Sequence, residues 1–202
     1  MNKQKRIILA SQSPRRHELI KKLNVKFEVV NPTFDEKLDS NNYSDNTILS
    51  LSLNKALSVF ELKKSSTDNF FNNCLIISAD TVVVNENKIY GKPKDKTAAK
   101  EMLQSLSGKT HFVVTAISVV DSDTKKSVSK LTKTYVTFQN LSDELIQKYV
   151  EEKKPLDKAG AYGIQEMGKE FIKEVNGDME NVIGLPTNTL KEILEEFDYK
   201  FN

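Results

Sequence analysis

The chain has 202 residues, of which 38% are hydrophobic and 29% are charged, a composition that allows a sizeable core and argues against intrinsic disorder. Its 30 basic residues nearly balance 28 acidic ones, for a net charge of +2, so the basic excess typical of nucleic-acid-binding proteins is missing. One cysteine and two histidines exclude an intrachain disulfide, a CxxC metal site and a histidine-rich zinc site.

The N-terminal segment is basic and then apolar, but Ser11 and Gln12 end the apolar run 7–10. Such a run is too short for the hydrophobic region of a signal peptide or for a membrane span. We therefore expect an intracellular, cytoplasmic protein with neither a membrane nor a nucleic acid as its partner.

Predicted strands and helices are interspersed along the chain, which is typical of the α/β class. Strands are predicted at residues 6–10, 26–30, 74–79, 81–84, 110–120 and 132–138. Helices are predicted from residue 13, over 45–64 and 97–106, from residue 142, and over 186–197. The polar segment 63–73 is expected to form a surface loop, and the pattern does not define the order of the strands.

Two arginines, Arg15 and Arg16, stand in the first turn of the first predicted helix. Cations there cost about 0.3–1 kcal/mol, because a helix N-terminus carries partial positive charge. An external anion would make the arrangement favourable, since arginine can bind two phosphate oxygens and the helix end adds free N–H donors. Alternatively, both arginines are surface side chains that pair with Glu18 or other nearby acids. The pattern favours a phosphate site and leaves this alternative open.

Asp80 stands between two apolar runs that are predicted to be buried strands. A buried carboxylate must be paired, hydrogen-bonded or bound to a metal. In a phosphate-handling site Asp80 could hold a divalent cation or activate water. Alternatively, it caps backbone amides in a turn between the two strands.

Several lysines stand where an anion could be bound. Lys55 lies on an apolar row of the second predicted helix, so it either extends outward to water or meets an anion in a cleft. Lys92 and Lys94 lie on a proline-containing turn between a strand and a helix, which is a usual location for binding residues. Solvated lysines would give the same pattern.

The tetrapeptide SGKT at 107–110 resembles the end of a phosphate-binding P-loop. That motif requires a glycine where this chain has Leu103, and here the helix precedes the strand instead of following it. Gly108 is therefore predicted to end a helix as its C-cap.

A series of motifs in this chain resembles the Maf family of nucleotide pyrophosphatases. They are LASQSPRR at 9–16, DE at 35–36, KA at 55–56, SADTVV at 78–83, GKP at 91–93, LSGKTHFVVT at 106–115, AGAYGIQ at 159–165 and GDMENVIGLP at 177–186. The resemblance covers nearly the whole chain. It implies one domain over residues 1–202 with an elongated mixed α/β sheet and flanking helices, as in inosine triphosphatases. It also implies two lobes around a substrate cleft and a homodimer.

The resemblance further implies that a nucleoside triphosphate is hydrolysed between its α and β phosphates, with help from Mg²⁺ or Mn²⁺. Asp80 would be the general base, and Glu36 and Asp80 would hold the metal. The implied phosphate-binding residues are Ser11, Arg15, Arg16, Lys55 and Lys92.

Three positions, Arg15, Thr81 and Gln165, resemble the family members that act on dTTP and UTP, and the Gln165 amide can both donate to and accept from a base edge. The expected role is to clear dTTP, UTP or modified pyrimidine triphosphates. Members that act on 7-methyl-GTP typically carry tryptophan, glutamine and glutamate at these positions, so that purine-directed alternative is disfavoured. A regulatory role in septum formation is a further alternative. Glu166, which replaces the usual glycine, departs from the family pattern near the expected base pocket, as does Met179-Glu180.

Overall fold

The computed structural model describes residues 4–34, 41–65 and 70–201. The strands are β1 (Arg6–Leu9), β2 (Phe27–Val29), β3 (Cys74–Asn85), β4 (Lys88–Tyr90), β5 (Thr110–Asp121), β6 (Ser127–Phe138) and β7 (Ile172–Asn176). The helices are α1 (Pro14–Lys21), α2 (Asp45–Ser65), α3 (Lys96–Leu106), α4 (Asp143–Lys153), α5 (Met179–Ile183) and α6 (Thr187–Glu195). Three 3₁₀ turns, Pro155–Asp157, Ala159–Ala161 and Ile164–Glu166, lie between α4 and β7.

The strands form one seven-stranded sheet in the order β2-β1-β3-β5-β6-β7, with β4 also paired to β3. Strand β1 runs parallel to β2 and β3, and the remaining pairs are antiparallel. The structure therefore confirms the predicted α/β class, a mixed sheet with flanking helices. That residues 1–202 form a single domain stays a prediction.

Strand β3 is the centre of the sheet, and all but one of its twelve residues are buried. It pairs with β5 continuously from Leu75 to Val84, which includes Asp80 opposite Ala116. The prediction of two strands separated at Asp80 is therefore wrong. The long partner strand keeps the backbone extended through the carboxylate, so Asp80 lies within a strand.

One edge of β3 changes its partner in the middle of the strand. Cys74–Ile77 pairs with β1, and the next pairing on that side is between Val83 and Tyr90 of β4. Within the part of the chain that the structure describes, residues 78–82 have strand partners on β5 alone. This opening leaves the backbone around Asp80 and Thr81 without a strand partner at one edge.

The two faces of the sheet pack against different helices. Residues of α2, such as Ile48 and Ala56, are buried against one face. Leu19 of α1 and Leu190 of α6 are buried against the other face. Burial of a leucine or isoleucine side chain contributes about 1.5–3 kcal/mol to stability. Successive residues of β3 point to opposite faces, so the strand contributes to both layers. A further core joins α3 and α4 to the ends of β5 and β6.

Most predicted elements agree with the structure to within a few residues. The C-cap of α3 is Ser107, and Gly108, which was predicted as the C-cap, is the next residue, with φ +67°. Strand β6 begins at Ser127, before the predicted start at 132, because it continues the hairpin with β5 as far as the Val120–Ser127 pair. Phe71 corrects the prediction of a surface loop over 63–73, since its side chain is buried in the core beside Cys74. Residues 66–69 of that segment lie outside the described residues. None of the described helices is long and apolar enough to span a membrane.

Candidate functional site

A cavity of about 580 Å³ lies beside the open edge of β3, a volume typical of small-molecule sites. Asp80 and Thr81 both line it, although neighbouring residues of a strand point to opposite faces. The cavity therefore reaches around the strand edge. It is lined by eight of the nine predicted site residues: Ser11, Arg15, Arg16, Lys55, Asp80, Thr81, Lys92 and Gln165. The ninth, the predicted metal ligand Glu36, lies outside the described residues.

A buried ion pair joins α2 to β3 at the cavity wall. Lys55 and Asp80 are 4% and 6% exposed, and the Lys55 ammonium donates to Oδ1 of Asp80. One turn before Lys55, the carbonyl of Ser52 accepts from Oγ of Ser78 at 2.5 Å, which fixes how α2 lies along the strand. Two alternatives are thereby wrong: Asp80 does not cap a turn, and Lys55 does not extend outward to water.

Arg16 connects three segments of the cavity wall. Its Nε donates to the carbonyl of Gly184 at 2.9 Å, and its Nη2 donates to Oγ1 of Thr81 at 3.1 Å. Its Nη1 lies 3.4 Å from Oγ of Ser11. The Thr81 hydroxyl also lies 2.9 Å from that of Thr115 on β5. The Gly184 carbonyl and the Thr115 hydroxyl therefore hold Arg16 and Thr81 in place beside each other.

Arg15 has a different and more exposed partner. Its Nη1 lies 2.9 Å from Oδ2 of Asp157, in a pair whose side chains are 30% and 61% exposed. The alternative that Arg15 pairs with an acidic residue is therefore confirmed. The acid is not the neighbouring Glu18, which pairs with Lys21 at 2.6 Å. Exposed pairs contribute only about 0–1 kcal/mol, so a phosphate group can compete for Arg15.

The N-terminus of α1 faces the same cavity. Ser13 occupies the N-cap position as predicted, but its side chain makes no capping hydrogen bond, and the first turn contains no acidic residue. Oγ of the buried Ser11 accepts from the backbone N–H of Ser13 at 3.2 Å. Nε2 of His17 donates to the carbonyl of Ser11 at 2.8 Å. A helix end with cations and without an acid suits a bound anion.

Another part of the cavity wall comes from turns. Lys92 is exposed on the connection between β4 and α3 and lines the cavity, whereas Lys94 is not among its described lining residues. Gln165 lies in the turn Ile164–Glu166. The preceding turn, Ala159–Ala161, packs against β3 at Gly160, which has φ +66°. A Cβ at Gly160 would come within 2.7 Å of the Val83 side chain. Only glycine allows so close an approach in this conformation.

Two lining residues that were not predicted, Asp157 and Lys158, lie just before this turn. Lys158 is 7% exposed, and its ammonium is 3.0 Å from Oδ1 of Asp157 and 3.2 Å from Oε1 of Glu166. Partial burial raises the pKa of Asp157, but hydrogen bonds from Arg15 and Lys158 outweigh it and hold the pKa below its usual value. Pro155 indicates in the sequence that a turn follows α4, but Leu156 and Asp157 after it are exposed, and no feature of the sequence indicates that Lys158 is buried.

The carboxylate donor suits a hard cation. Among the described residues, no three histidine, cysteine, aspartate or glutamate side chains are grouped as metal ligands. Mg²⁺, however, is usually held by one or two carboxylates together with substrate phosphates. Asp80, at the wall of a cavity rich in cationic side chains, fits that donor set.

Comparison with known proteins gives consistent results. A family model described as Maf-like protein matches residues 6–197. The chain is 42% identical to the dTTP/UTP pyrophosphatase of Bacillus anthracis (strain CDC 684 / NRRL 3495), over 96% of both chains. The dTTP/UTP pyrophosphatase of Bacillus cytotoxicus has the same identity and coverage. The structure of the Staphylococcus aureus Ham1 protein matches with a TM-score of 0.50 over 96% of this chain and 100% of that one. At 16% identity, this likeness shows the fold alone.

Proposed function

The chain belongs to the Maf family, and from this premise we propose that it is a nucleoside triphosphate pyrophosphatase acting on dTTP and UTP. The relatives that carry this name match nearly their whole length to nearly the whole of this chain. Eight of the nine residues expected to take part in the reaction line one cavity, which supports the same activity here.

The charge of the cavity is the observation that carries the proposal. Its described lining contains five cationic side chains and two carboxylates. The cations are Arg15, Arg16, Lys55, Lys92 and Lys158, and the carboxylates are Asp80 and Asp157. A net positive cavity lined by arginines is suited to a polyphosphate, whose oxygens arginine can bind in pairs.

Asp80 is the proposed general base. Lys55 holds one oxygen of its carboxylate and so fixes the orientation of the group at the cavity wall. In the proposed reaction, the carboxylate takes a proton from a water molecule as the water oxygen bonds to the α phosphorus. The bond from the α phosphorus to the bridging oxygen breaks, and pyrophosphate leaves with the electron pair.

The cationic side chains are proposed to stabilise the departing pyrophosphate. Positioned cations usually supply most of the catalysis of phosphoryl transfer. Arg16 is held in advance by Gly184 and Thr81, so little reorganisation is needed when the substrate binds. Arg15 and Lys92 are more exposed and can follow the phosphates as they enter.

We also propose that Mg²⁺ or Mn²⁺ takes part, held by Asp80 and the substrate phosphates, with Glu36 as a further candidate ligand. When bound, the cation would neutralise part of the phosphate charge.

The base is proposed to lie toward Gln165. The edge of thymine and uracil offers two carbonyl acceptors and one N–H donor, and an amide side chain can complement both functions. Arg15 and Thr81, the other two predicted specificity residues, line the same cavity. A cytoplasmic homodimer that clears dTTP, UTP or modified pyrimidine triphosphates is the corresponding proposal for the cell.

One assay tests the activity. The purified chain is incubated with Mg²⁺ or Mn²⁺ and a panel of dTTP, UTP, dCTP, dATP, dGTP and 7-methyl-GTP, and pyrophosphate and orthophosphate are measured separately. We expect equal amounts of monophosphate and pyrophosphate, with kcat/KM highest for dTTP and UTP. Release of orthophosphate alone would contradict the bond proposed to break, and preference for 7-methyl-GTP would favour the purine-directed alternative.

A further inference from the structure

The turn that carries Gln165 is held on both sides by one buried tyrosine. The backbone N–H of Gly163 donates to Oη of Tyr149 at 3.0 Å. The same hydroxyl donates to Oε2 of Glu166 at 3.3 Å. Gln165 stands between these two attachment points in the sequence, so the two contacts hold the backbone of the turn on either side of it.

The second oxygen of the Glu166 carboxylate binds a buried lysine. Oε1 lies 3.2 Å from the ammonium of Lys158. Lys158 also binds Asp157, whose other carboxylate oxygen binds Arg15. A continuous series of charged contacts therefore runs from Arg15, a proposed phosphate ligand, to the turn with Gln165.

Glu166 connects the charged series to the tyrosine, because one of its carboxylate oxygens contacts Lys158 and the other contacts Tyr149. A nearly buried ammonium requires carboxylates around it, and Lys158 has Asp157 and Glu166 as its described acidic partners. Burial raises the pKa of Tyr149 above its ordinary value, with the charge of Glu166 adding to the effect although the Gly163 N–H opposes it. The hydroxyl therefore stays protonated and donates to Glu166 while it accepts from Gly163.

We propose that Glu166 is a positioning residue for base selection, which fixes the Gln165 turn through Tyr149 and Lys158. Its carboxylate faces these two side chains, so it acts on the nucleotide only through the turn. This inference rests on the proposed function, because it concerns how the same cavity chooses between bases.

The test compares Glu166→Ala, Glu166→Gln and a matched control, Glu174→Ala, which removes an exposed carboxylate from β7. For each protein, kcat and KM are measured with dTTP, UTP and dGTP, together with the Ki of inorganic triphosphate, which has phosphates but no base. Glu166→Ala should lower the preference for dTTP over dGTP about tenfold, because a small displacement of a positioning group is costly. The change should come mainly from the KM for dTTP and exceed any change in the Ki of inorganic triphosphate.

Glu166→Gln should restore part of the preference, since its amide can still accept from one of the two partners. The control should keep the wild-type preference. Equal losses with every nucleotide would show that Glu166 is merely structural, and an unchanged preference in Glu166→Ala would overturn the inference. If the wild-type protein releases no pyrophosphate from dTTP or UTP, the proposed function itself fails. If the wild type is selective and the variants are equally so, only the role of Glu166 is refuted.

Discussion

Replacing Asp80 with asparagine removes a negative charge from the cavity wall and keeps nearly the same side-chain shape. The amide oxygen can still accept from Lys55, whose ammonium binds Oδ1 of the native carboxylate. The amide cannot take a proton from water. We therefore expect Asp80→Asn to stop pyrophosphate release while the chain remains folded.

The size of both effects follows from the burial of the ion pair. Loss of a general base should lower kcat by about 10²–10⁴. Removing one partner of a buried ion pair costs about 3–5 kcal/mol, but the retained hydrogen bond brings the expected loss of stability down to about 2 kcal/mol. A loss of about 2 kcal/mol lowers Tm by about 4–8 °C in a chain of this size, which leaves a protein of ordinary stability folded.

Pyrophosphate release at saturating dTTP and thermal unfolding followed by circular dichroism measure the two effects on the same samples. Glu174→Gln, on the exposed side of β7, serves as a control that also loses one negative charge. Turnover close to wild type in Asp80→Asn would remove Asp80 from the role of base. Loss of cooperative unfolding would instead show that the ion pair with Lys55 is chiefly structural.

Three further predictions concern the rest of the cavity and the core. Asp157→Asn should lower the KM for dTTP about two- to fivefold, because the exposed pair with Arg15 no longer competes with phosphate; an unchanged or higher KM would refute this. Gln165→Glu should lower kcat/KM for dTTP and UTP about tenfold, since it removes a donor to the base, and unchanged selectivity across the nucleotide panel would refute it. Burial lowers the pKa of His111 from 6.5 to about 4, so the unfolded chain binds the proton more readily between these values. The protein should therefore lose up to about 3 kcal/mol of stability as pH falls from 6.5 toward 4. The free energy of unfolding is measured in urea at pH 7 and pH 4.5, and His111→Gln should remove most of this loss. A loss as large as in the wild type would show that His111 is not its source.

The long elements of the fold could be predicted because their own side chains define them. The apolar rows of α2 and the continuous apolar run of β5 locate these elements to within a residue or two. The short strands β4 and β7 could not, because charged residues are mixed into them and they exist through pairing with β3 and β6. Such strands depend on their neighbours more than on intrinsic preference.

The site could be predicted residue by residue, but not its pairings. Asp80 and Lys55 each had two interpretations, and the choice between them depends on how α2 lies along β3. The Ser52–Ser78 contact that sets this arrangement joins residues that carry no chemical signal in the sequence. Lys158 was missed for a related reason, since it follows a helix whose charged residues are all exposed. Only the folded chain shows that it turns inward between two carboxylates.

Arg15 and Arg16 are neighbours in sequence, yet their surroundings give them different parts in the proposed reaction. Arg16 is bound to Gly184 and Thr81 within the cavity wall, so its position is set before the substrate arrives. Arg15 is bound to an exposed aspartate, and a weak exposed pair is readily replaced by phosphate. When Arg15 moves to a phosphate, Asp157 retains Lys158 as its described partner, and Lys158 in turn binds Glu166 beside Gln165.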